Sequence, residues 1–171
     1  AMRVDAEAQP TRLSAIGFGP EAMVERNPVA LDELAALRAA WPVVWVDVVG
    51  FHDHELLRRI GEAFGLHPLA LADVVNVHQR AKVEQYDAHE FLVLRMIDAA
   101  NPHDTEQLGL FVGPGFVLTF QERAGDCFGM VRQRLHATDG QMRKRPADYL
   151  AYALLDAVVD AYFPPMEDID A

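Results

Sequence analysis

The chain reads as an α/β protein whose mixed β-sheet is sandwiched between α-helical layers. The first pointer is the run Val43-Val44-Trp45-Val46-Asp47-Val48-Val49, dominated by β-branched residues and stopped by Gly50, which is the composition of a central strand. The second is that segments with apolar residues at helical spacing lie on both sides of that run. The third is the pair Gln107 to Val112 and Phe116 to Gln121 across Gly113-Pro114-Gly115, an antiparallel hairpin. A helix alternating with a buried strand implies an α/β layer architecture, and the hairpin makes the sheet mixed.

Taken in order, residues 1–12 are polar, carry Pro10 and are expected to form a disordered tail before a single domain over 13–171. Leu13 to Phe18 reads as a strand ended by Gly17-Phe18-Gly19-Pro20, and Ala22 to Glu25 is too short to assign. Leu31, Leu34, Ala35 and Leu37 set a helix near 30–40, up to Trp41-Pro42. Asp53 is placed to cap a helix in which Leu56, Leu57, Ile60 and Phe64 recur at three and four, with Gly65 in the position after its end. Pro68 then opens a short helix with Leu69, Leu71, Val74 and Val75 as its apolar face. Lys82 to Tyr86 alternates as an edge strand does, Asp87-Ala88-His89 turns, and Phe91 to Leu94 is apolar enough to be buried on both faces. Asn101 to Asp104 is another turn. Asp126 to His136 supports a helix with Phe128, Val131 and Leu135 inward, Thr138 to Arg145 a loop, and Pro146 the start of a helix through about Phe163 that Pro164-Pro165 must end or kink.

Composition narrows the function. With 171 residues, 51% hydrophobic and 24% charged, the chain is of ordinary globular make-up and one domain in size. A net charge of −11 argues against nucleic-acid or anionic-membrane surfaces, which need a concentrated basic face, and favours cations as partners. Arg143-Lys144-Arg145 is the only dense basic run and reads as a solvated loop. The single cysteine, Cys127, excludes an intramolecular disulfide and a thiolate zinc cluster and suits a reducing cytosol. No run reaches the roughly 18 apolar residues of a membrane helix, and no signal peptide opens the chain.

No pattern of nucleophile, base and orienting group occurs, so no enzyme activity is expected. His52 and His54 flank Asp53 at a helix start, where alternate residues diverge by about 200°, so capping by Asp53 is the better account than a metal site. His67 and His78 read as hydrogen-bonding loop residues, His89 and His103 as turn residues, and His136 as a dipole-favoured group at a helix C-terminus. Cys127 reads as a packed small hydrophobe. Asp148, Tyr152, Asp156 and Asp160 are four apart and share one face of the last helix, where the like-charged pair Asp156 and Asp160 costs about a few tenths of a kcal/mol unless something neutralises it.

A resemblance sharpens this. Asp73, then Asn76-Val77-His78-Gln79-Arg80, Lys82-Val83-Glu84 and Phe91 to Met96, resembles the N-terminal cytoplasmic domain of the CorA family of divalent-cation transporters. Gly61 to Leu69 precedes it, Glu106 to Phe111 and Val117 to Glu122 follow, and Arg145 through Asp156, Asp160, Tyr162 and Phe163 closes the likeness, which covers roughly residues 43–170. The resemblance implies a full-length homopentamer at the inner membrane, with stalk and two membrane helices and a Gly-Met-Asn pore signature beyond these residues. It implies that Asp73 and Asp156, with Asp160 as an acidic helper, hold a regulatory Mg2+ between subunits and so control gating. Two things weaken the match at the site: Ala72 stands where relatives often carry an acid, and the resemblance implies that the other half of the site comes from a long stalk helix beyond Ala171; Ala81 also replaces a common Pro, which loosens the loop without moving the carboxylates. Co2+, Ni2+ or Zn2+ as the ion, and a freestanding α/β enzyme or ligand-binding protein using His67 and His78, are the alternatives. A deep apolar pocket near those histidines would favour the last.

Overall fold

In the computed structural model, residues 10–170 are described. Seven strands form one sheet: β1 (Arg12–Phe18), β2 (Met23–Arg26), β3 (Val43–Val49), β4 (Lys82–Gln85), β5 (Glu90–Ile97), β6 (Thr105–Gly113) and β7 (Phe116–Gln121). Their spatial order is β2-β1-β3-β7-β6-β5-β4. Among the described residues β3 and β7 run parallel and every other neighbouring pair is antiparallel. The expected mixed sheet is therefore present, with β7 at its middle, β3 beside it and β4 at one edge.

Side-chain alternation along the strands divides the core into two layers. Val44, Val46 and Val48 of β3, Phe91 and Val93 of β5 and Phe116, Leu118 and Phe120 of β7 point to one face, which is covered by helices α1 (Leu31–Ala40), α2 (His54–Phe64) and α3 (Pro68–Val75). Val43 and Trp45, Leu92 and Met96, and Leu108 and Leu110 point to the other face, covered by α4 (Gly129–His136) and α5 (Ala147–Asp160). A last helix, α6 (Phe163–Asp170), follows. The sandwich of one sheet between two helical layers follows from strands that are apolar on both faces.

Local chemistry sets the helix ends. The Asp53 carboxylate accepts the Leu56 N–H at 2.9 Å, and Gly65 takes the left-handed conformation, φ 65°, that ends α2. The expected Asp53 cap is thus in place. His67 Nδ1 accepts the Leu69 N–H at 3.1 Å to cap α3, with Pro68 at its first position. Above α3 the sheet carries Gly109; a Cβ there would lie 3.4 Å from Val74 Cγ2, so the glycine lets α3 sit close on β6.

Several boundaries differ from the sequence reading. The expected tail of residues 1–12 falls mostly outside the described residues, but Arg12 belongs to β1, paired with Val49, and Thr11 Oγ1 accepts the Asp53 N–H at 3.0 Å. The short segment after Gly19 forms β2, stabilised by pairing to β1 rather than by its own propensity. Helix α4 begins at Gly129 and not at Asp126, because Asp126 turns back to accept the Phe128 N–H (2.9 Å) and both Arg132 amino groups (2.8 and 2.7 Å). The stretch read as a solvated loop contains a single 3-10 turn, Met142–Lys144, in which Met142 is buried and Arg143 only 7% exposed. Helix α5 stops at Asp160, and Pro164 and Pro165 lie in the first turn of α6, where a missing N–H is tolerated.

Candidate functional site

Asp73 lies in the last turn of α3, and the sheet edge meets it there. Its Oδ1 accepts from Gln79 Nε2 at 2.8 Å and its Oδ2 from Lys82 Nζ at 2.6 Å. The same ammonium contacts Glu84 Oε1 at 2.6 Å, and Tyr86 Oη donates to the other oxygen of Glu84 at 2.6 Å. Lys82 and Glu84 face the same side of β4 because side chains two apart on a strand share a face. All three groups are about a quarter to a third exposed, at 27% for Asp73, 28% for Lys82 and 35% for Glu84. The Asp73 hydrogen bond, then that of Glu84, raises the Lys82 pKa above its ordinary value; Lys82, then Tyr86, holds the Glu84 carboxyl below its own.

The loop that carries Gln79 is fixed from beneath. Gln107, 4% exposed on β6, accepts the Gln79 N–H at 3.0 Å and donates to the carbonyls of Asn76 (3.0 Å) and Asp73 (3.3 Å). Those carbonyls are unpaired groups at a helix C-terminus, so one buried amide satisfies what α3 leaves open. Arg95 adds a bond to the Val77 carbonyl at 3.1 Å while gripping Thr105 Oγ1 and O. Gln107→Met keeps the volume but removes all three amide contacts; we expect a loss of about 2 kcal/mol, read by urea unfolding, together with faster exchange of the Gln79 amide. Unchanged exchange at Gln79 would mean that the loop is held by other means.

Asp156 is exposed on α5, in a surface cleft of about 410 Å³ lined by Cys127, Met130 and Arg134 on one side and by Asp156, Ala157 and Asp160 on the other. The structure thus brings Asp156 and Asp160 together. It does not bring Asp73 to them: α3 covers one face of the sheet and α5 the opposite face. Among the described residues, no group of three or more His, Cys, Asp or Glu side chains is placed to hold a metal ion. What one chain offers is a pair of carboxylates on each face. Such sparse oxygen donors suit a hard cation that keeps most of its water, as Mg2+ does, better than ions seeking imidazole or thiolate. The Cys127 thiol, pushed up to about 11 by burial, remains protonated at neutral pH.

Other expectations settle as follows. His67 caps α3, as its reading as a loop hydrogen-bonder requires, and its ring stacks on Tyr86 at 4.5 Å. His136 contacts Glu25 at 3.0 Å at the end of α4. His89 lies in the turn between β4 and β5, as read, but its side chain is buried, 5% exposed between Tyr86 and Phe111, with neither ring nitrogen hydrogen-bonded among the described residues, and burial lowers its pKa. A cleft of about 540 Å³ runs between the β4–β5 turn, the β6–β7 turn and the start of α5; it takes in His89 and Asp148 but neither His67 nor His78. No helix among the described residues is long and apolar enough to cross a membrane. Sequence reasoning missed Lys82, Glu84, Gln79 and Gln107. The alternation of Lys82-Val83-Glu84 was signal enough for the first two as a pair, whereas Gln107 lies 31 residues from the carbonyl of Asn76 that it binds.

Comparison with known proteins agrees with this architecture. The family described as CorA-like Mg2+ transporter protein matches residues 42–171. The cobalt/magnesium transport protein CorA of Thermotoga maritima is 38% identical over 161 residues, covering 92% of this chain and 46% of its own length. The chain therefore spans about half the length of that relative. The soluble domain of CorA from Methanocaldococcus jannaschii superposes with a TM-score of 0.67 at 12% identity, over 92% of this chain and 60% of that one. The full-length CmaX protein gives 0.72 at 16% identity, over 97% and 50%. At such identities the two structural likenesses speak for the fold alone.

Proposed function

Because this chain belongs to the CorA-like Mg2+ transporter family, we propose that it is the cytosol-facing sensing domain of a divalent-cation transporter and not an enzyme. In this reading Asp73 and Asp156 hold regulatory Mg2+ at boundaries between copies of the domain, and Asp160 reinforces the negative field at Asp156. The observation that carries it is the placement of the two carboxylates on opposite faces of one sheet. A single chain cannot close a site from them. When the α3 face of one copy meets the α5 face of the next, the contact is head to tail, and a head-to-tail contact repeated with the right rotation closes a ring. Five copies make the ring that the family resemblance implies.

The ion's role follows from charge. Acidic faces brought together repel, and a hydrated dication between them offsets that repulsion. At high cytosolic Mg2+ the loaded ring stays closed; as Mg2+ falls the copies loosen and the pore opens. The shift is bounded by the difference in the ion's affinity for the two states. The donors are hard oxygens, which favours Mg2+, with Co2+ as the nearest alternative and Zn2+ or Ni2+ less suited.

The test is Asp73→Ala in the full-length transporter. Magnesium inhibition should shift to higher concentration by severalfold in a flux assay while the protein still assembles. An unaltered inhibition curve removes Asp73 from the mechanism.

A further inference from the structure

We propose that Lys82 is a resident counter-ion that competes with the divalent cation for Asp73, and so sets the concentration at which the site loads. This rests on the assignment of Asp73 to cation sensing. The ammonium is held between two carboxylates, 2.6 Å from Asp73 Oδ2 and 2.6 Å from Glu84 Oε1. The two oxygens are therefore within about 5 Å of each other, with a single positive charge between them. A Mg2+ ion drawn to Asp73 Oδ2 needs the same oxygen lone pairs that the ammonium already holds. Ammonium and dication cannot share the gap, since both need the same lone pairs.

The surroundings are built to keep Lys82 there. Gln79 fixes the second oxygen of Asp73, and Tyr86 fixes the second oxygen of Glu84, so each carboxylate is oriented with one oxygen toward the ammonium. Gln107 in turn fixes the Gln79 backbone. The Lys82 chain springs from an edge strand, β4, which has a free side, so the ammonium can swing into solvent without disturbing the ladder. Loading with a dication thus releases a lysine, and unloading returns it. Asp73 is consequently never left as a bare carboxylate, and the site fills only when the dication is abundant enough to displace a tethered ammonium.

Removing the ammonium should therefore tighten binding. Isothermal titration of Mg2+ into the solubilised full-length transporter, in which neighbouring copies can close the site, against a NaCl control of matched ionic strength, should show Lys82→Met binding at least tenfold tighter than the parent. Lys82→Met combined with Glu84→Gln should fall back toward the parent value, because one of the two carboxylates is then neutral. In the parent, the Lys82 side-chain ammonium resonance should move with Mg2+ along the same saturation curve. Lys82→Gln serves as the second variant, and circular dichroism verifies the fold of each. Equal or weaker Mg2+ binding by the Lys82 variants overturns the competition. If that happens while Asp73→Ala still shifts inhibition in the transporter, the sensing assignment survives and only the resident-cation mechanism falls.

Discussion

Phe111→Ala will lower the unfolding free energy by about 3–5 kcal/mol, the usual cost of deleting a fully buried phenyl ring from a packed core. Phe111 is fully buried on β6, opposite Phe91 of β5 and Leu118 of β7. Its ring stacks on Phe91 at 4.5 Å, meets Phe120 edge-on at 5.6 Å and covers one side of His89 at 5.4 Å. No neighbour can collapse into the space without pulling a strand out of register, so most of the cavity will remain. Against a typical total of roughly 5–15 kcal/mol, this removes a third or more of the stability. Urea unfolding of the variant beside Val83→Ala is the measurement. Val83 is 68% exposed on the edge strand, so its truncation should cost about 0.5 kcal/mol or less. If the two variants unfold at the same urea concentration, Phe111 is not at the centre of the layer that α1, α2 and α3 cover.

The second large effect is on pH dependence. Asp47 of β3 is largely buried, and burial, opposed by the Thr119 hydrogen bond, pushes its carboxyl from 3.8 up to about 6. Thr119 Oγ1 donates to Asp47 Oδ1 at 2.8 Å and accepts from Trp45 Nε1 at 3.0 Å, while Arg132 approaches Oδ2 only to 3.6 Å because it is committed to Asp126. The folded state therefore holds a proton that the unfolded chain has released. Below pH 4 the carboxyl is protonated in both states and Asp47 costs nothing through its charge. As pH rises from about 4 to 6 the unfolded state ionises first and stability falls; above 6 the loss levels off, at up to about 3 kcal/mol for a shift of this size. Asp47→Asn keeps the acceptor for Thr119 and carries no charge. Relative to the parent it should gain on the order of 2–3 kcal/mol between pH 4 and pH 7, measured by urea unfolding at each pH. A difference between the two proteins that does not change with pH would mean that Asp47 is already ionised in the fold at acidic pH.

Much of the architecture was legible because single-segment patterns carry it. The run Val43 to Val49 has no polar face to offer water, and the alternation on β3, β5 and β7 sends half of each strand to either helical layer. Asp53, Gly65 and Pro68 mark helix ends by local chemistry, and each occupies the position read for it. The errors fall where a partner distant in sequence decides. β2 is a strand because β1 lies beside it, and α4 starts late because Arg132 holds Asp126. His89 and Arg143 look like surface residues in composition, yet the turns that carry them fold inward.

For the candidate site the division is sharper. The sequence by itself determined the acidic balance, the absence of any nucleophile pattern, the layered α/β class, and, through resemblance, the singling out of Asp73, Asp156 and Asp160. The layered class is within reach of periodicity because periodicity records which side of its own element a residue faces. Only the tertiary structure decided that Asp73 and Asp156 lie on opposite faces of the sheet, and that Lys82, Glu84, Gln79 and Gln107 surround the first of them. Those contacts join a helix to a loop 6 residues away and to strand residues 9 and 34 residues away. Their energy comes from charges and amides that meet only after the sheet has formed, and no local pattern encodes such a meeting.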